Sequence, residues 1–91
     1  IPNAINECLR LESPIQGFSR YAVAAHDFED VTLPADARLI VLYGSANRDE
    51  RHWPDAARFD VRREGAGRHL AFGYGEHACI GLNLARMEIS A

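Results

Sequence analysis

The feature that most constrains the fold of this chain is a long stretch without a period. From Gly44 to Asp60 the sequence reads GSANRDERHWPDAARFD. Apolar residues there recur at neither the 3.6-residue interval of a helix nor the two-residue interval of a strand. The polar, glycine-bearing run RREGAG and the loop-like HLAFGYGEHA come after it. A short helical turn is expected only near 45–49. About thirty residues of irregular chain is more than a compact small domain ordinarily carries. A 91-residue chain also has little surface to bury. The expectation is a segment that does not fold alone, residues 1–91 being part of one larger domain. The opening IPNAINECLR lacks an initial Met and reads as cut from within a longer protein.

Periodic segments flank this stretch. In NAINECLRL, residues 3–11, the apolar Ala4, Ile5, Cys8, Leu9 and Leu11 are helically spaced, and Glu7 and Arg10 share a face at i,i+3. Pro14 ends the helix. QGFSRYAVAAHDF reads as a strand with Phe18, Arg20, Ala22 and Ala24 on one face. DFEDVTLPAD reads as a hairpin and turn, with Pro34 and Asp36 as turn residues. RLIVLY, Arg38 to Tyr43, is a continuous apolar run expected to be a buried strand. From Cys79, CIGLNLARMEISA resumes helical spacing, with Ile80, Leu84, Met87 and Ala91 on one stripe. The fold class is mixed α/β.

Charge and cysteine usage exclude several functions. The net charge of -3 argues against a nucleic-acid grip. All 10 basic residues are arginine, so neither a Schiff-base lysine nor a P-loop lysine exists in this sequence. Arginine suits fixed, bidentate carboxylate contacts. The two cysteines, Cys8 and Cys79, form no CxxC pair, and a structural zinc site has no support. No apolar run approaches the roughly 18 residues of a membrane span, and no signal peptide is visible. The expected location is cytoplasmic.

The chemistry concentrates in FGYGEHACIGL, Phe72 to Leu82, where three glycines crowd one cysteine. Cys79 is expected where a loop ends and a helix begins, a place that favours an anionic sulfur. Gly73 and Gly75 allow tight turning through positive φ. Gly81 is expected in the first helical turn, where glycine costs about 1 kcal/mol relative to alanine. A large flat ligand lying against bare backbone accounts for that cost, and Phe72 is placed to cover the sulfur. His77, two residues from Cys79, diverges from it too much to act as its base. A metal held by one thiolate and a planar ligand fits better, which describes a haem with an axial cysteine.

Phe72-x-x-Gly75-x-x-x-Cys79-x-Gly81 resembles the haem-thiolate signature of the cytochrome P-450 family, and the resemblance extends over essentially the whole chain. GSANRDERHWPDAARFDV is similar to soluble bacterial members. The resemblance implies the C-terminal part of a fold that is mainly α in the whole protein. Its elements are a Glu-x-x-Arg helix, small strands, a meander loop, the cysteine-ligand loop and the start of the following helix. It implies haem b (iron protoporphyrin IX) with Cys79 as axial ligand and Phe72, Gly75 and Gly81 around it. Arg20 and His77 become the propionate contacts. Glu7, Arg10 and Arg58 become a structural triad that locks the meander loop. Ile15, Gln16 and Gly17 become substrate contacts. His69 is expected to make a structural hydrogen bond, and His26 and His52 to lie on the surface.

The activity implied is a monooxygenase that uses O2 and electrons from a ferredoxin or a fused or separate reductase to oxidise a small organic substrate. No nucleic-acid or membrane partner is implied. The distal helix with its acid–alcohol pair, which delivers protons in this family, falls outside the 91 residues. The alternatives are a peroxide-using or non-oxygenase member, a non-catalytic haem-binding module, or an inactive fragment.

Overall fold

The computed structural model describes residues 2–91. Helix α1 spans Pro2–Leu11, followed by strands β1 (Phe18–Tyr21), β2 (His26–Phe28), β3 (Val31–Leu33) and β4 (Arg38–Val41). Helix α2 is Tyr43–Ala46 and helix α3 is Leu82–Ser90, with 3-10 turns at Ala66–Arg68 and Gly75–His77 between them. β1 pairs antiparallel with β4, Phe18 opposite Val41 and Arg20 opposite Leu39. β2 and β3 form a separate hairpin closed between Phe28 and Val31.

The helix expected at 3–11 is present. The strand expected through 16–28 is not one strand. Ala22 still exchanges hydrogen bonds with the facing chain, donating to Ala37 O and accepting from Asp36 N–H. Beyond that its partner is gone, because the facing chain turns at Pro34 with Asp36 at φ 63. The chain bends and re-enters sheet geometry only at His26. RLIVLY stops being strand at Val41, and Tyr43 begins α2, earlier than the helical turn expected at 45–49. Nor is that run buried: Ile40 is 65% and Leu42 56% exposed. A two-stranded ribbon covers neither of its own faces.

The buried centre is polar. Leu9, Trp53, Ala56 and Ala66 are its buried apolar residues, while Glu7, Arg10 and Asn47 are its largest fully buried side chains among the described residues. Buried polar groups persist only where their hydrogen bonds are satisfied. Arg10 meets that condition with all five N–H groups, as detailed below. α1 therefore turns its charged face inward, and its apolar side at Ala4, Ile5, Cys8 and Leu9 lines a shallow groove against Ile89 of α3. Arg48 closes the end of α1 by donating to Leu11 O at 2.7 and 3.1 Å. The molecule measures 44 × 29 × 16 Å, with a Cα radius of gyration of 15.2 Å. A compact domain of this length has a radius near roughly 12 Å.

Candidate functional site

The aperiodic stretch is ordered by two arginines and one carboxylate. Glu7 and Arg10 form a bidentate pair, Nε to Oε2 and Nη2 to Oε1, each 2.8 Å, with both side chains fully buried. Arg10 Nη1 donates to Asn47 O and Ala56 O at 2.8 Å, and Nη2 donates also to Arg58 O at 3.2 Å. Its guanidinium carbon stands 5.4 Å from the centroid of the Trp53 ring.

The third member of the triad is Arg63 and not Arg58. Arg63 Nε donates to Glu7 Oε1 at 2.8 Å with a side chain 8% exposed. Arg63 Nη2 holds Asp55 O and Arg58 O at 3.0 Å. Arg58 points outward, 68% exposed, and its nearest acid is Asp60 at 3.6 Å. The turn from Asp55, at φ 51, to Arg58 is the cause. It aims the Arg58 carbonyl inward as an acceptor and its side chain at solvent. Burial pushes the Glu7 carboxyl up. The bonds from Arg10 and Arg63 and the Asp60 N–H outweigh it and bring the pKa down to about 2.

A second buried junction carries this order to the cysteine loop. Asn47 donates from Nδ2 to Ser13 Oγ at 2.8 Å and accepts Leu70 N–H at Oδ1, 2.7 Å. Ser13 Oγ in turn donates to Leu9 O. Asn47 thus ties the end of α1 to the chain entering FGYGEHAC.

The loop is closed by Cys79 N–H donating to Phe72 O at 2.8 Å. Gly73 and Gly75 have φ of 72 and 79, the left-handed values expected of them. The following helix starts later than expected. Leu82 is its first residue and Gly81 its N-cap, so Cys79 stands two residues before the cap. Gly81 has φ -87 and ψ 7, a conformation open to any residue. A Cβ built there would find only Cys79 Sγ, at 3.8 Å. Neither backbone nor protein neighbours require glycine at 81.

Above the loop lies a cavity of about 720 Å³, lined by Phe18, Arg20, Tyr43, Phe72, His77 and Cys79 among others. Volumes of roughly 300–1,000 Å³ are those of cofactor and ligand sites. Cys79 is a free, exposed thiol on its wall. Arg20 comes from β1 and His77 from the turn before the cysteine, so the two nitrogenous side chains meet at one cavity from distant sequence. Arg20 spends one donor on Ser19 O at 3.0 Å, and its guanidinium carbon is 5.6 Å from the centroid of Phe18.

Ile15 lines the cavity, but Gln16 and Gly17 do not. The Gln16 amide donates to Ser13 O and packs over Gly44, where a Cβ would collide with it. Gly17 serves close strand approach, since a Cβ there would lie 2.9 Å from Val41 O. His69 makes a side-chain hydrogen bond, Nδ1 accepting Ala71 N–H at 3.1 Å. His26 and His52 are exposed.

Sequence reasoning missed Arg63, Asn47 and Tyr43. Arg63 is one of ten arginines, and only its short distance past the outward-turning Arg58 marks it. Asn47 lies where a polar residue in a loop passes for ordinary. Tyr43 was hidden at the end of an apolar run; its ring sits 6.4 Å from Phe18, and its hydroxyl would be 3.7 Å from a Cβ on Gly73.

These features define a loop that presents one thiol to a large, mostly apolar cavity with basic groups on its wall. Residues 1–91 match the family described as Cytochrome P450. The chain is 49% identical over 90 residues to Cytochrome P450 130 of Mycobacterium tuberculosis, covering 97% of this chain and 22% of that protein. It superposes on the crystal structure of the Acinetobacter radioresistens CYP116B5 heme domain with a TM-score of 0.93 at 36% identity, over 97% of this chain and 21% of that one. An intact type IV self-sufficient cytochrome P450 monooxygenase matches with a TM-score of 0.93 at 48% identity, over 97% of this chain and 12% of that one. The chain belongs to the cytochrome P450 family and has the fold of one part of its haem domain. It spans about a fifth of the length of the curated relatives it matches.

Proposed function

We propose that this chain forms the cysteine-ligand side of the haem site in a monooxygenase, with haem b held by Cys79. The observation that carries this reading is the bare backbone at Gly81 beside the Cys79 thiol. Its missing side chain answers to no backbone or side-chain neighbour except Cys79 Sγ, 3.8 Å from where a Cβ would stand, and Cys79 lines the cavity of about 720 Å³. Haem bound there would supply O2 activation, and a Cys79 thiolate would donate electron density to it in favour of O–O cleavage.

The chain's own residues bind and orient. Cys79 is held by its N–H to Phe72 O. Arg20 and His77 are the cation and imidazole suited to two propionate carboxylates. Phe18, Phe72 and Ile80 supply apolar wall that excludes water. Ile15 remains a substrate contact on this reading, and Gln16 and Gly17 are withdrawn. Glu7, Arg10 and Arg63 hold the loop that supports all of these.

Electrons arrive from a ferredoxin or from a fused or separate reductase in the cytoplasm, and the substrate is a small organic molecule. Support for the fused arrangement comes from the self-sufficient monooxygenase among the similar structures. The test uses the full-length parent with haem, supplied either with ferredoxin, ferredoxin reductase, NADPH and 18O2 or with hydrogen peroxide alone, against a panel of small organic substrates. The expected result is one labelled oxygen in product only with the electron donor. Product formed with peroxide but none with O2 and the electron donor, or haem uptake without any turnover, contradicts the monooxygenase reading.

A further inference from the structure

Behind the cysteine loop, two buried nitrogens have no hydrogen-bond partner among the described residues: His69 Nε2 and Arg86 Nε. Both side chains approach Phe72. The His69 ring centroid is 5.8 Å from that of Phe72, tilted at 45°. The Arg86 guanidinium carbon is 5.9 Å from the same ring. His69 precedes the loop, whereas Arg86 stands on α3 beyond Cys79.

His69 is 7% exposed. Its Nδ1 accepts Ala71 N–H, which requires that nitrogen to be unprotonated, so the neutral ring carries its proton on Nε2. A proton arriving at Nδ1 turns the acceptor into a donor facing another donor. It also sets a second positive charge near Arg86. Ala71 adjoins Phe72, whose carbonyl accepts Cys79 N–H at 2.8 Å. One lone pair on His69 is therefore connected to the backbone of the thiol-bearing residue through one side-chain hydrogen bond from Ala71 N–H, the Ala71–Phe72 peptide unit and one backbone hydrogen bond from Cys79 N–H to Phe72 O.

We propose that His69 is a positioning residue for Cys79: its neutral imidazole holds the Ala71–Phe72 backbone that closes the cysteine loop, and protonation of His69 releases that backbone and loosens thiolate ligation. The proposal rests on the reading of Cys79 as the haem ligand.

The surroundings favour the neutral ring. Burial, and then the charge of Arg86, push the His69 pKa below its ordinary value of 6.5. Arg86 is the charged group that faces it from α3. The loop side offers the Phe72 ring and Ala71 N–H, and the uncharged Asn47 holds the neighbouring Leu70 N–H. The unfolded chain binds this proton more readily than the folded one. Its contribution to stability is therefore intact above pH 6.5 and declines as pH falls below that value.

The test is the long-wavelength absorption band of the reduced, carbon-monoxide-bound, full-length haem protein, titrated downward from neutral pH. The parent is expected to lose the band to a shorter-wavelength form at acidic pH. In His69→Asn the side-chain oxygen accepts Ala71 N–H and takes up no proton, so the band persists where the parent has lost most of it. Arg86→Met removes the neighbouring cation and moves the parent's midpoint to higher pH. His69→Leu offers no acceptor and weakens the band already at neutral pH; if that variant fails to fold, the His69→Asn profile decides. The inference is overturned if His69→Asn follows the parent throughout, or if Arg86→Met leaves the midpoint in place. A parent without the band at any pH overturns the ligand reading instead, which keeps the two failures distinct.

Discussion

At the scale of single residues, Glu7 is the most consequential side chain outside the cavity. Its carboxylate takes three bonds from two arginines and one from a backbone N–H, all within a buried centre. Removing Arg63 leaves Glu7 paired with Arg10 but takes one charge-assisted hydrogen bond from its buried carboxylate, which costs about 1–3 kcal/mol. Arg63→Ala is therefore expected to lower the stability of the full-length protein by that amount. Arg58→Ala, an exposed side chain, is expected to change it by less than about 0.5 kcal/mol. Denaturant midpoints of the two variants decide between them, and an equal effect would return Arg58 to the triad. The acid behaviour follows from the same site. The Glu7 pKa falls from 4.5 unfolded to about 2 folded, so its stabilisation is complete above pH 4.5 and is lost as pH falls toward 2. A denaturant midpoint that is flat across that interval in the parent would contradict the buried pairing.

At the scale of elements, the cysteine loop separates two uses of glycine. Gly75, at φ 79, needs a left-handed conformation that costs an L-residue about 1–2 kcal/mol. Gly75→Ala is expected to destabilise the haem-free full-length protein by that amount. Gly81 has no such need, and it caps α3. Serine is as good a cap or better, so Gly81→Ser is expected to leave the haem-free protein at least as stable while its haem affinity falls. Thermal melts of the apoprotein and haemin titrations measure both. A Gly81→Ser protein that binds haem as the parent does would mean that the bare backbone serves some other purpose.

The same loop shows what sequence can and cannot convey. Phe72, Gly75, Cys79 and Gly81 lie within ten residues, and their spacing alone identified the motif. The left-handed glycines follow from local sterics, which sequence reports well. α1 was legible by its period, although its inward face proved to be the charged one. Arg63 was not legible, because choosing among ten arginines depends on which way a turn aims each side chain. Gln16 and Gly17 failed for a related reason: their surroundings, Ser13, Gly44 and Val41, are set by tertiary contact.

At the scale of the whole molecule, the chain is a slab 16 Å thick whose interior is a polar network. Ile40, Leu42, Leu84 and Met87 are all more than half exposed. Polar networks fix geometry, but the main driving force for folding is apolar burial, and these side chains contribute little of it. We therefore expect the isolated 91-residue chain to show no cooperative thermal transition in the absence of haem. A single sharp transition by calorimetry would show that the network suffices alone. Among the described residues no helix is long and apolar enough to cross a membrane.

The central claim is that the sulfur at position 79 binds haem iron. It is tested most directly by the reduced, carbon-monoxide-bound spectrum of the full-length protein carrying Cys79→Ala or Cys8→Ala. The long-wavelength thiolate band should vanish in the first and remain in the second, since Cys8 lies on α1 in the groove against Ile89 and away from the cavity. Survival of the band in Cys79→Ala, or its loss in Cys8→Ala alone, would show that another side chain holds the iron.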